Sequence, residues 1–237
     1  MESSEHLLVF GASGAIGGGV VRLALQRGWK VTAVARKLPE VPLPAVQYFA
    51  LDPLSADFTY SQIAQSSAYT SICWAQGTNA NDSVYNLDLA VHRQIYDANC
   101  TYILVTLQAL LHGGYLATAS RLCIISSIWQ NLARQSKLSY CMSKAALQGL
   151  VLSASADLAK DGHLINAVLP GAIESPMTRK NLSVEQIDRL SAATGYNRLV
   201  SLQEVASLVC YLCSPENTGI TGQFIAADLG FSHVRIV

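Results

Sequence analysis

The amino-acid sequence predicts an α/β domain whose parallel sheet is covered by helices on both faces. Short apolar runs alternate with longer helical patterns along the chain. Most of the short runs are too continuously apolar to have one solvent-exposed face, which is typical of buried parallel strands. No internal repeat, low-complexity tract or Pro/Gly-rich linker divides the 237 residues. We therefore expect a single domain spanning residues 1–237.

Seven runs are predicted strands and four segments are predicted helices. In chain order the strands are HLLVFGA, KVTAVA, VQYFAL, SICWAQ, RLCIISS, LINAVLP and GQFIAADL. The helices have helical period and length over Ile16 to Gln26, Ser83 to Leu111, Ser139 to Lys160 and Leu202 to Leu212. This order predicts a doubly wound parallel sheet.

The composition favours a small-molecule partner. Lys plus Arg and Asp plus Glu each number 16, so no net charge draws the chain to nucleic acid or to an anionic membrane. No apolar run approaches the roughly 20 residues of a membrane span, and the start MESSEHLLVF is unlike a secretory signal. We expect a cytoplasmic protein with six reduced cysteines. Cys210 and Cys213 lack the second ligand pair of a zinc site, which favours core packing and no metal.

The first predicted strand leads directly into GASGAIGGG and then into a helix. This is the context of a dinucleotide-binding site of the Rossmann fold. Gly11, Gly14 and Gly17 permit a tight turn, close approach to a pyrophosphate and close helix packing, with the helix N-terminus facing the anion. The spacing is not G-x-G-x-x-G, because Ser13 and Ile16 stand at its second and third glycine positions.

A second pattern, LSYCMSKAAL, places a tyrosine and a lysine four residues apart in a predicted helix. Tyr140 and Lys144 would lie on one face with Cβ atoms roughly 5 to 6 Å apart. An ammonium group at that distance lowers the pKa of a phenol. Taken alone, the pair is equally consistent with a solvated lysine beside a half-buried aromatic residue.

Together the two patterns resemble the short-chain dehydrogenase/reductase superfamily, in its short single-domain branch. Gly11, Ala15 and Gly17 stand at the three small-residue positions of that family's loop. The family's serine, about 13 residues before the tyrosine, matches Ser127 in CIISS, and its helical asparagine matches Asn99 in DANCTYILVTLQALL. NAVLPGAIESPM and ITGQFIAADLG resemble the family's nicotinamide segment and closing strand.

The resemblance implies catalytic roles for Asn99, Ser127, Tyr140 and Lys144. Tyr140 would give a proton to a carbonyl oxygen while the reduced nicotinamide delivers a hydride, or act in the reverse oxidation of an alcohol. Lys144 would hold the nicotinamide ribose and lower the pKa of Tyr140. A cation 5 Å away contributes roughly 3 kcal/mol at an effective dielectric of 20, close to the ~4 kcal/mol that lowering this pKa to about 7 requires. Ser127 would hydrogen-bond the substrate oxygen, and Asn99 would hold a relay water.

The expected cofactor is NADP(H). Enzymes that prefer NAD carry an acid at the end of the second strand, whereas here Ala35 is followed by Arg36 and Lys37, two cations that suit a 2′-phosphate. The alternative is that both cations merely begin a solvated loop. Backbone groups near Ile173 would bind the carboxamide, with the Ser175 hydroxyl close by. The complete set of expected cofactor-binding residues is Gly11, Ser13, Gly14, Ala15, Ile16, Gly17, Arg36, Lys37, Asp52, Gly77, Tyr140, Lys144, Pro170, Gly171, Ile173 and Ser175.

Three positions depart from the family pattern. Phe10 precedes the glycine loop in place of the usual threonine. WAQG, from Trp74 to Gly77, replaces Asn-Asn-Ala-Gly, and DLG, from Asp228 to Gly230, replaces Asp-Gly-Gly. The side chains that brace the glycine loop and the central strand must therefore differ here.

These features favour an NADP(H)-dependent carbonyl reductase or alcohol dehydrogenase acting on a small carbonyl or alcohol substrate. A 3-oxoacyl thioester, a sugar or polyol, a steroid-like ketone and a biosynthetic ketone intermediate all remain open. The alternative is a non-catalytic nucleotide-binding regulatory or structural subunit. Such proteins commonly lose the tyrosine or the lysine, and this chain retains both.

The remaining expectations concern the substrate pocket and assembly. Residues 174–199 are the expected substrate lid, in which four cations against three acids are too small an excess to predict an anionic substrate. Trp129 and Gln130 are expected pocket walls, with core packing as the alternative for Trp129. The apolar helices around Asn99 and Ala145 predict a homodimer or homotetramer.

Overall fold

The computed structural model describes residues 5–64, 67–175, 178–179 and 182–234. Seven strands form one sheet: β1 (His6–Phe10), β2 (Lys30–Ala35), β3 (Val46–Ala50), β4 (Tyr69–Trp74), β5 (Leu116–Ile125), β6 (Leu164–Pro170) and β7 (Phe224–Ala227). They lie in the order β3-β2-β1-β4-β5-β6-β7, and every adjacent pair is parallel. The predicted doubly wound sheet is thereby confirmed.

Helices cover both faces of this sheet. The α-helices are α1 (Ala15–Gln26), α2 (Leu89–Tyr96), α3 (Tyr102–His112), α4 (Leu138–Asp157), α5 (Val184–Ala192) and α6 (Leu202–Leu212). A π-helical segment, Asp97–Thr101, joins α2 to α3 without a break. No helix in the described part of the chain combines the length and the hydropathy that a membrane crossing needs.

Side chains of the central strand alternate between two hydrophobic clusters. Leu7 and Val9 of β1 pack into the cluster under α1 and α6, whereas Leu8 and Phe10 pack into the cluster under α3 and α4. All four side chains are fully buried. This burial on both faces explains why the strand reads as a continuous apolar run.

The helix predicted to begin at Ser83 begins six residues later, so that prediction was wrong at its N-terminus. The Asp88 carboxylate accepts hydrogen bonds from Ala90 N at 2.8 Å and Val91 N at 3.3 Å and starts the helix there. Ser83 instead accepts a backbone hydrogen bond from Asn86 N in a turn, at 3.2 Å. The other predicted helices are present, and α6 has its predicted bounds.

All seven predicted strands are present, but some of their bounds differ, with β4 starting two residues earlier and β7 spanning only Phe224–Ala227. Strands β2 and β6 have their predicted bounds, but β5 begins at Leu116 rather than at Arg121. Its pairing with β4 shifts register between Tyr69 and Ser71, and Ala119 adopts a φ of 58° near this irregularity. The extra strand residues carry a bulge, which no alternation of apolar residues announces.

The segment predicted as a lid is tied at its base and contains α5. Ile173 and Val200 form a parallel bridge, so the two ends of residues 174–199 lie side by side. Residues 176–177 and 180–181 lie outside the described residues, and they include Lys180, one of the lid cations counted from the sequence.

Candidate active site

The candidate site lies at the carboxyl ends of the strands, where the strand order reverses between β1 and β4. Helix α1 follows β1 and packs on one face of the sheet, whereas α3 packs on the other. Loops that leave neighbouring strands toward opposite faces open a crevice between them, which is where ligands bind in such sheets.

The glycine loop leaves no room for side chains at two positions. Gly11 has a φ of +74°, and a Cβ on it would lie 2.5 Å from Gln76 N. A Cβ on Gly17 would lie 2.3 Å from Gly11 O. The first position therefore needs glycine for its conformation and its contacts, and the second for helix packing against the loop.

The N-terminus of α1 faces the same crevice. Gly14 is its N-cap, makes no side-chain cap and is followed by no acid in the first turn. Ser13 and Ala15 are exposed and Ile16 is half-buried. Backbone N–H groups at an open helix N-terminus, with the positive end of the helix dipole, are suited to a pyrophosphate.

Gln76 carries a buried polar group without a partner in this crevice. Its backbone packs against Gly11, and among the described residues neither atom of its side-chain amide has a hydrogen-bond partner. Buried amides in native proteins nearly always have one. The glycine cradle and the unpaired amide fit a dinucleotide that would hydrogen-bond there. Sequence reasoning missed Gln76, although it lies inside the departing WAQG motif.

The end of β2 presents two cations. Arg36 and Lys37 directly follow the strand and are exposed. Arg36 and Asp52 both act on the nearby Tyr102 phenol, whose pKa is raised chiefly by burial, raised further by Asp52 and lowered by Arg36. The acid expected near the adenine and the cation expected near the 2′-phosphate therefore flank one aromatic ring.

Two of the departures from the family pattern meet in one contact. The ring of Phe10 stacks on that of Trp74 with centroids 6.0 Å apart, and Tyr102 meets Phe10 edge-on at 5.7 Å. Trp74 Nε1 donates to Thr106 Oγ1 at 2.9 Å. Aromatic packing under the loop thus replaces the hydroxyl and amide bracing that the family pattern would supply.

The predicted Ser127, Tyr140 and Lys144 come together on one wall of the crevice. Lys144 Nζ lies 5.7 Å from the centroid of the Tyr140 ring and donates to Ile125 O at 2.9 Å. The lysine is only 4% exposed, which rules out the solvated-lysine interpretation. Ser127 and Tyr140 both line the cavity in front of this wall.

Ser127 is held by its own short turn. Its backbone is extended, and its Oγ accepts a hydrogen bond from Trp129 N at 3.3 Å at the start of the 3₁₀ turn Ile128–Gln130. Ser126 Oγ donates to Gln130 Oε1 at 2.7 Å. Gln130 is therefore buried behind the turn and does not line the cavity, so its prediction as a pocket wall was wrong. Trp129 does line the cavity.

The pKa of Tyr140 is not lowered as the sequence analysis expects. Burial raises the pKa of the Tyr140 phenol above its ordinary value, and hydrogen bonding with Ser127 only partly opposes this. Burial also lowers the pKa of Lys144 to about 8. Desolvation sets the direction of this shift, so Tyr140 holds its proton rather than releasing it easily.

Asn99 lies in the π-helical segment between α2 and α3, a type of irregularity that is frequent at functional sites. Its Oδ1 accepts from Thr78 N at 2.8 Å, and its Nδ2 donates to Thr78 O at 3.1 Å and to Ser143 Oγ at 2.8 Å. A Cβ on Gly77 would lie 3.0 Å from Asn99 Oδ1 and 3.8 Å from Lys144 Nζ. Asn99 therefore braces the loop after β4 against α4, and its relay role stays a prediction.

Asp82 anchors the start of α4, the helix that carries Tyr140 and Lys144, and sequence reasoning missed it. Its carboxylate accepts from Ser139 N at 3.1 and 3.2 Å and from Ser139 Oγ. His92 Nδ1 lies 2.8 Å from the same hydroxyl. Asp82 is buried and sits 57 residues before the serine, so no local pattern could have paired them.

The loop after β6 forms the far side of the crevice. A Cβ on Gly171, just after Pro170, would lie 2.9 Å from Asp228 Cβ. This glycine is therefore needed for close packing of the loop against Asp228. Ile173 O accepts from Thr178 Oγ1 at 2.6 Å. Ser175 is buried, and its Oγ accepts from Thr178 N at 3.2 Å.

The third departure has a visible backbone consequence. Leu229, at the middle position of DLG, adopts a φ of 55°. This left-handed region favours the glycine that the family pattern has there. Asp228 stabilises the turn, because its carboxylate accepts from Gly230 N and Ser232 N, both at 2.9 Å.

A cavity of about 890 Å³ opens in front of Tyr140. Its lining includes Arg134 and Lys137 from the connection between β5 and α4, neither of which the sequence analysis proposed. The signal was present, because Lys137 lies three residues before Tyr140 in ARQSKLSY. Thr178, Leu182 and Gln186 of the expected lid also line it.

Comparison with known proteins agrees with this geometry. Residues 67–232 match a family model described as enoyl-(acyl carrier protein) reductase. The chain is 31% identical to nodulation protein G of Rhizobium sp. (strain N33) over 59% of its own length and 57% of the relative's. It is 26% identical to the 3-oxoacyl-[acyl-carrier-protein] reductase FabG of Salmonella typhimurium (strain LT2) over 94% of this chain and 95% of that protein. Some relatives thus match over about half their length and others over nearly all of it.

Solved structures share the fold over the whole chain. A short chain dehydrogenase family protein from Francisella tularensis superposes with a TM-score of 0.88 at 23% identity, covering 97% of this chain and 99% of the other. ElxO, solved with NADP bound, superposes with a TM-score of 0.84 at 19% identity, covering 97% and 99%. With the family model spanning more than half of the chain, these findings show that the protein belongs to the short-chain dehydrogenase/reductase family of oxidoreductases.

Proposed function

We propose that this protein is an NADP(H)-dependent carbonyl reductase or alcohol dehydrogenase. The observation that carries the proposal is the wall formed by Ser127, Tyr140 and buried Lys144, which opens on a cavity large enough for a small molecule. A merely nucleotide-binding subunit has no need of a buried lysine beside a cavity-lining tyrosine.

The side chains of this wall supply the proton chemistry. Bound in the crevice, the reduced nicotinamide supplies a hydride for the carbonyl carbon. Tyr140, whose raised pKa keeps it protonated at neutral pH, donates a proton to the carbonyl oxygen. Ser127 hydrogen-bonds the same oxygen as negative charge develops on it. Lys144, still largely protonated at pH 7 with a pKa of about 8, stabilises the phenolate that remains.

The cofactor assignment rests on the end of β2. Arg36 and Lys37 are exposed there, where a 2′-phosphate would lie. Ala35 stands at the position where an acid would bind the 2′-hydroxyl of NAD. The fold is shared with ElxO, which has been solved with NADP bound. The glycine cradle, the open N-terminus of α1 and the unpaired Gln76 amide would hold the dinucleotide.

Residues 174–199 act as the substrate lid in this proposal, because three of their side chains line the cavity and their ends are tied by the Ile173–Val200 bridge. The full-length relative FabG is a 3-oxoacyl-[acyl-carrier-protein] reductase. A 3-oxoacyl thioester is therefore one substrate class to include in a screen, beside sugars and polyols.

The experiment that tests the reaction follows nicotinamide absorbance over a panel of ketones and alcohols, with wild type and Tyr140→Phe. Loss of the phenolic oxygen should lower kcat by about 10² to 10⁴ and leave NADPH affinity nearly unchanged, because general acid catalysis contributes that much. Turnover by Tyr140→Phe within about threefold of wild type would exclude the tyrosine as the acid. Wild-type protein that binds NADPH and reduces nothing in the panel would favour the regulatory subunit.

A separate titration tests the cofactor. NADPH should bind at least about tenfold more tightly than NADH, a difference of about 1.4 kcal/mol, and Arg36→Asp should shrink or invert the ratio. Equal affinities in the wild type would contradict the NADP assignment without affecting the reaction.

The assembly is proposed to be a homodimer or homotetramer through α3 and α4. A groove of about 350 Å³ runs between these helices, and Leu104 in its lining is 51% exposed. Apolar surface of this kind is commonly covered by another copy. Light scattering at micromolar concentration should give a multiple of the 25.4 kDa chain mass, and the monomer mass would refute the proposal.

A further inference from the structure

The lining of the cavity in front of Tyr140 has an excess of positive charge. Its lining contains two cationic side chains, Arg134 and Lys137, and no aspartate or glutamate among the described residues. The other lining groups are mostly neutral and polar, such as Asn79 and Gln135. A cavity of this kind favours a ligand with negative charge.

Both cations are held in place by neutral partners. Arg134 Cζ lies 5.9 Å from the centroid of the Trp129 ring, a cation–π contact on the cavity wall. Lys137 Nζ donates to Asn79 Oδ1 at 2.7 Å and to Ala80 O at 3.3 Å. These contacts orient the two charges without neutralising them.

The two charges also act on each other. The pKa of Lys137 is lowered, first by burial and second by the nearby charge of Arg134. Two partly desolvated like charges repel, and an anion placed between them would remove that repulsion. An anionic partner is therefore favoured beside these two side chains.

Asp82, Glu174 and Glu204 are committed to other partners. Asp82 raises the pKa of Lys137, but its oxygens are hydrogen-bonded to Ser139 and it is buried behind the helix start, outside the cavity lining. In the lid region, Arg179 pairs with Glu174 and Arg198 pairs with Glu204, each at 2.7 Å. Two of the cations counted in the lid are thus paired with acids, whereas Arg134 and Lys137 in the connection before α4 form no ion pair among the described residues.

We propose that the carbonyl substrate carries an anionic group, a carboxylate or a phosphate, that Arg134 and Lys137 bind in this cavity. The inference rests on the proposed function, because it names the substrate class of the same site. Arginine offers a planar fork suited to both anions, and lysine adds a point charge. Tyr140 lines the same cavity three residues after Lys137, so the anionic group and the reacting carbonyl would share this cavity.

The test compares matched ketones that differ only in charge: 4-oxopentanoate with its methyl ester, and dihydroxyacetone phosphate with dihydroxyacetone. In at least one pair, kcat/KM with NADPH should be at least tenfold higher for the anion in wild type. The ratio within that pair should collapse toward one in the double variant Arg134→Gln/Lys137→Gln. The carboxylate pair and the phosphate pair distinguish the two sources of charge.

Two further variants separate charge from packing. Arg134→Lys retains the charge and should keep most of the preference. Lys160→Gln removes an exposed cation that lies outside the cavity lining, and should leave the ratio unchanged. A preference for the neutral members, or a preference that survives the double variant, would overturn the inference while leaving the reductase function intact.

A binding measurement covers the case in which none of these ketones is reduced. Trp129 lies under Arg134, whereas Trp29 and Trp74 are buried in the core, so fluorescence should report on this cavity. Titration with 4-oxopentanoate or dihydroxyacetone phosphate should change the emission of wild type and not that of the double variant. An absent change in wild type would refute anion binding, and turnover of no ketone would count only against the proposed reaction.

Discussion

The two sides of the crevice are built on different principles. The nucleotide side is made of backbone in close contact: a Cβ on Gly17 would lie 2.3 Å from Gly11 O. The substrate side is made of buried polar side chains, with Lys144 4% exposed and Ser127 6% exposed. One side is limited by space and the other by the cost of desolvating charge. An added side-chain atom should therefore impair the nucleotide side, and the loss or neutralisation of a polar group should impair the substrate side.

The largest expected effect is on the pH dependence of stability and follows from replacing Lys144 on the substrate side. Burial lowers its folded-state pKa from 10.5 to about 8, so the unfolded chain binds this proton more tightly and the wild type gains stability as pH rises from about 8 to about 10.5. Lys144→Met lacks that gain. The unfolding free energy of the variant minus that of wild type should therefore fall by about 3 kcal/mol over this interval.

Urea unfolding between pH 7 and pH 10.5 measures this difference. The buried thiols and phenols, whose pKa values are raised, lose stability at high pH in both proteins and cancel in the comparison. Lys160→Met, which removes an exposed lysine, is the matched control. A pH-independent difference for Lys144→Met would show that its ammonium is not desolvated.

The next largest effect is expected from a substitution at Gly17 on the nucleotide side. Gly17→Ala should lower the free energy of unfolding by about 1–3 kcal/mol and weaken NADPH binding, because the new methyl group meets the Gly11 carbonyl. Gly18→Ala is the control in the same helix, since its Cβ would lie 3.5 Å from its nearest neighbour, Ala12 O. The control should be neutral or more stable by about 0.5–1 kcal/mol. Equal behaviour of the two variants in thermal unfolding would contradict the spatial argument.

The third prediction concerns Asp82 and separates its effect on stability from its effect on the position of Tyr140. Asp82→Ala leaves the Ser139 N–H and hydroxyl without their acceptor, and should cost about 1–2 kcal/mol of unfolding free energy. Because Tyr140 is the next residue, kcat should fall as well, with little change in NADPH affinity. Asp88→Ala removes a comparable cap from α2, away from the catalytic wall, and should lower stability with kcat retained. Equal losses of kcat in both would assign Asp82 a purely structural role.

The smallest expected effect concerns a buried side chain on the nucleotide side, the unpaired Gln76. Gln76→Met keeps the length of the side chain and removes the buried amide, so the protein without cofactor should gain about 1 kcal/mol. NADPH should bind less tightly if that amide contacts the dinucleotide. Gln148→Met, at an exposed position of α4, should change neither quantity. Unaltered NADPH affinity of Gln76→Met would remove the amide from the cofactor site.

Much of the fold followed from local pattern. Helix α6 and strands β2 and β6 have the bounds that period and apolar runs predict. Helical spacing predicted that Tyr140 and Lys144 lie together, and the family resemblance added Ser127. The three residues do meet in space.

Local pattern was enough to predict the parallel sheet, the glycine loop and the Tyr140–Lys144 pair, since each depends on residues close together in the chain or on a regular period. Tertiary structure decided the rest. Phe10 stacks on Trp74 across neighbouring strands, Asp82 reaches Ser139 over 57 residues, and the Tyr140 pKa is set by burial rather than by its neighbour Lys144. The physical reason is common to all three: packing, long-range hydrogen bonds and desolvation depend on what the folded chain brings together, and no local pattern encodes it.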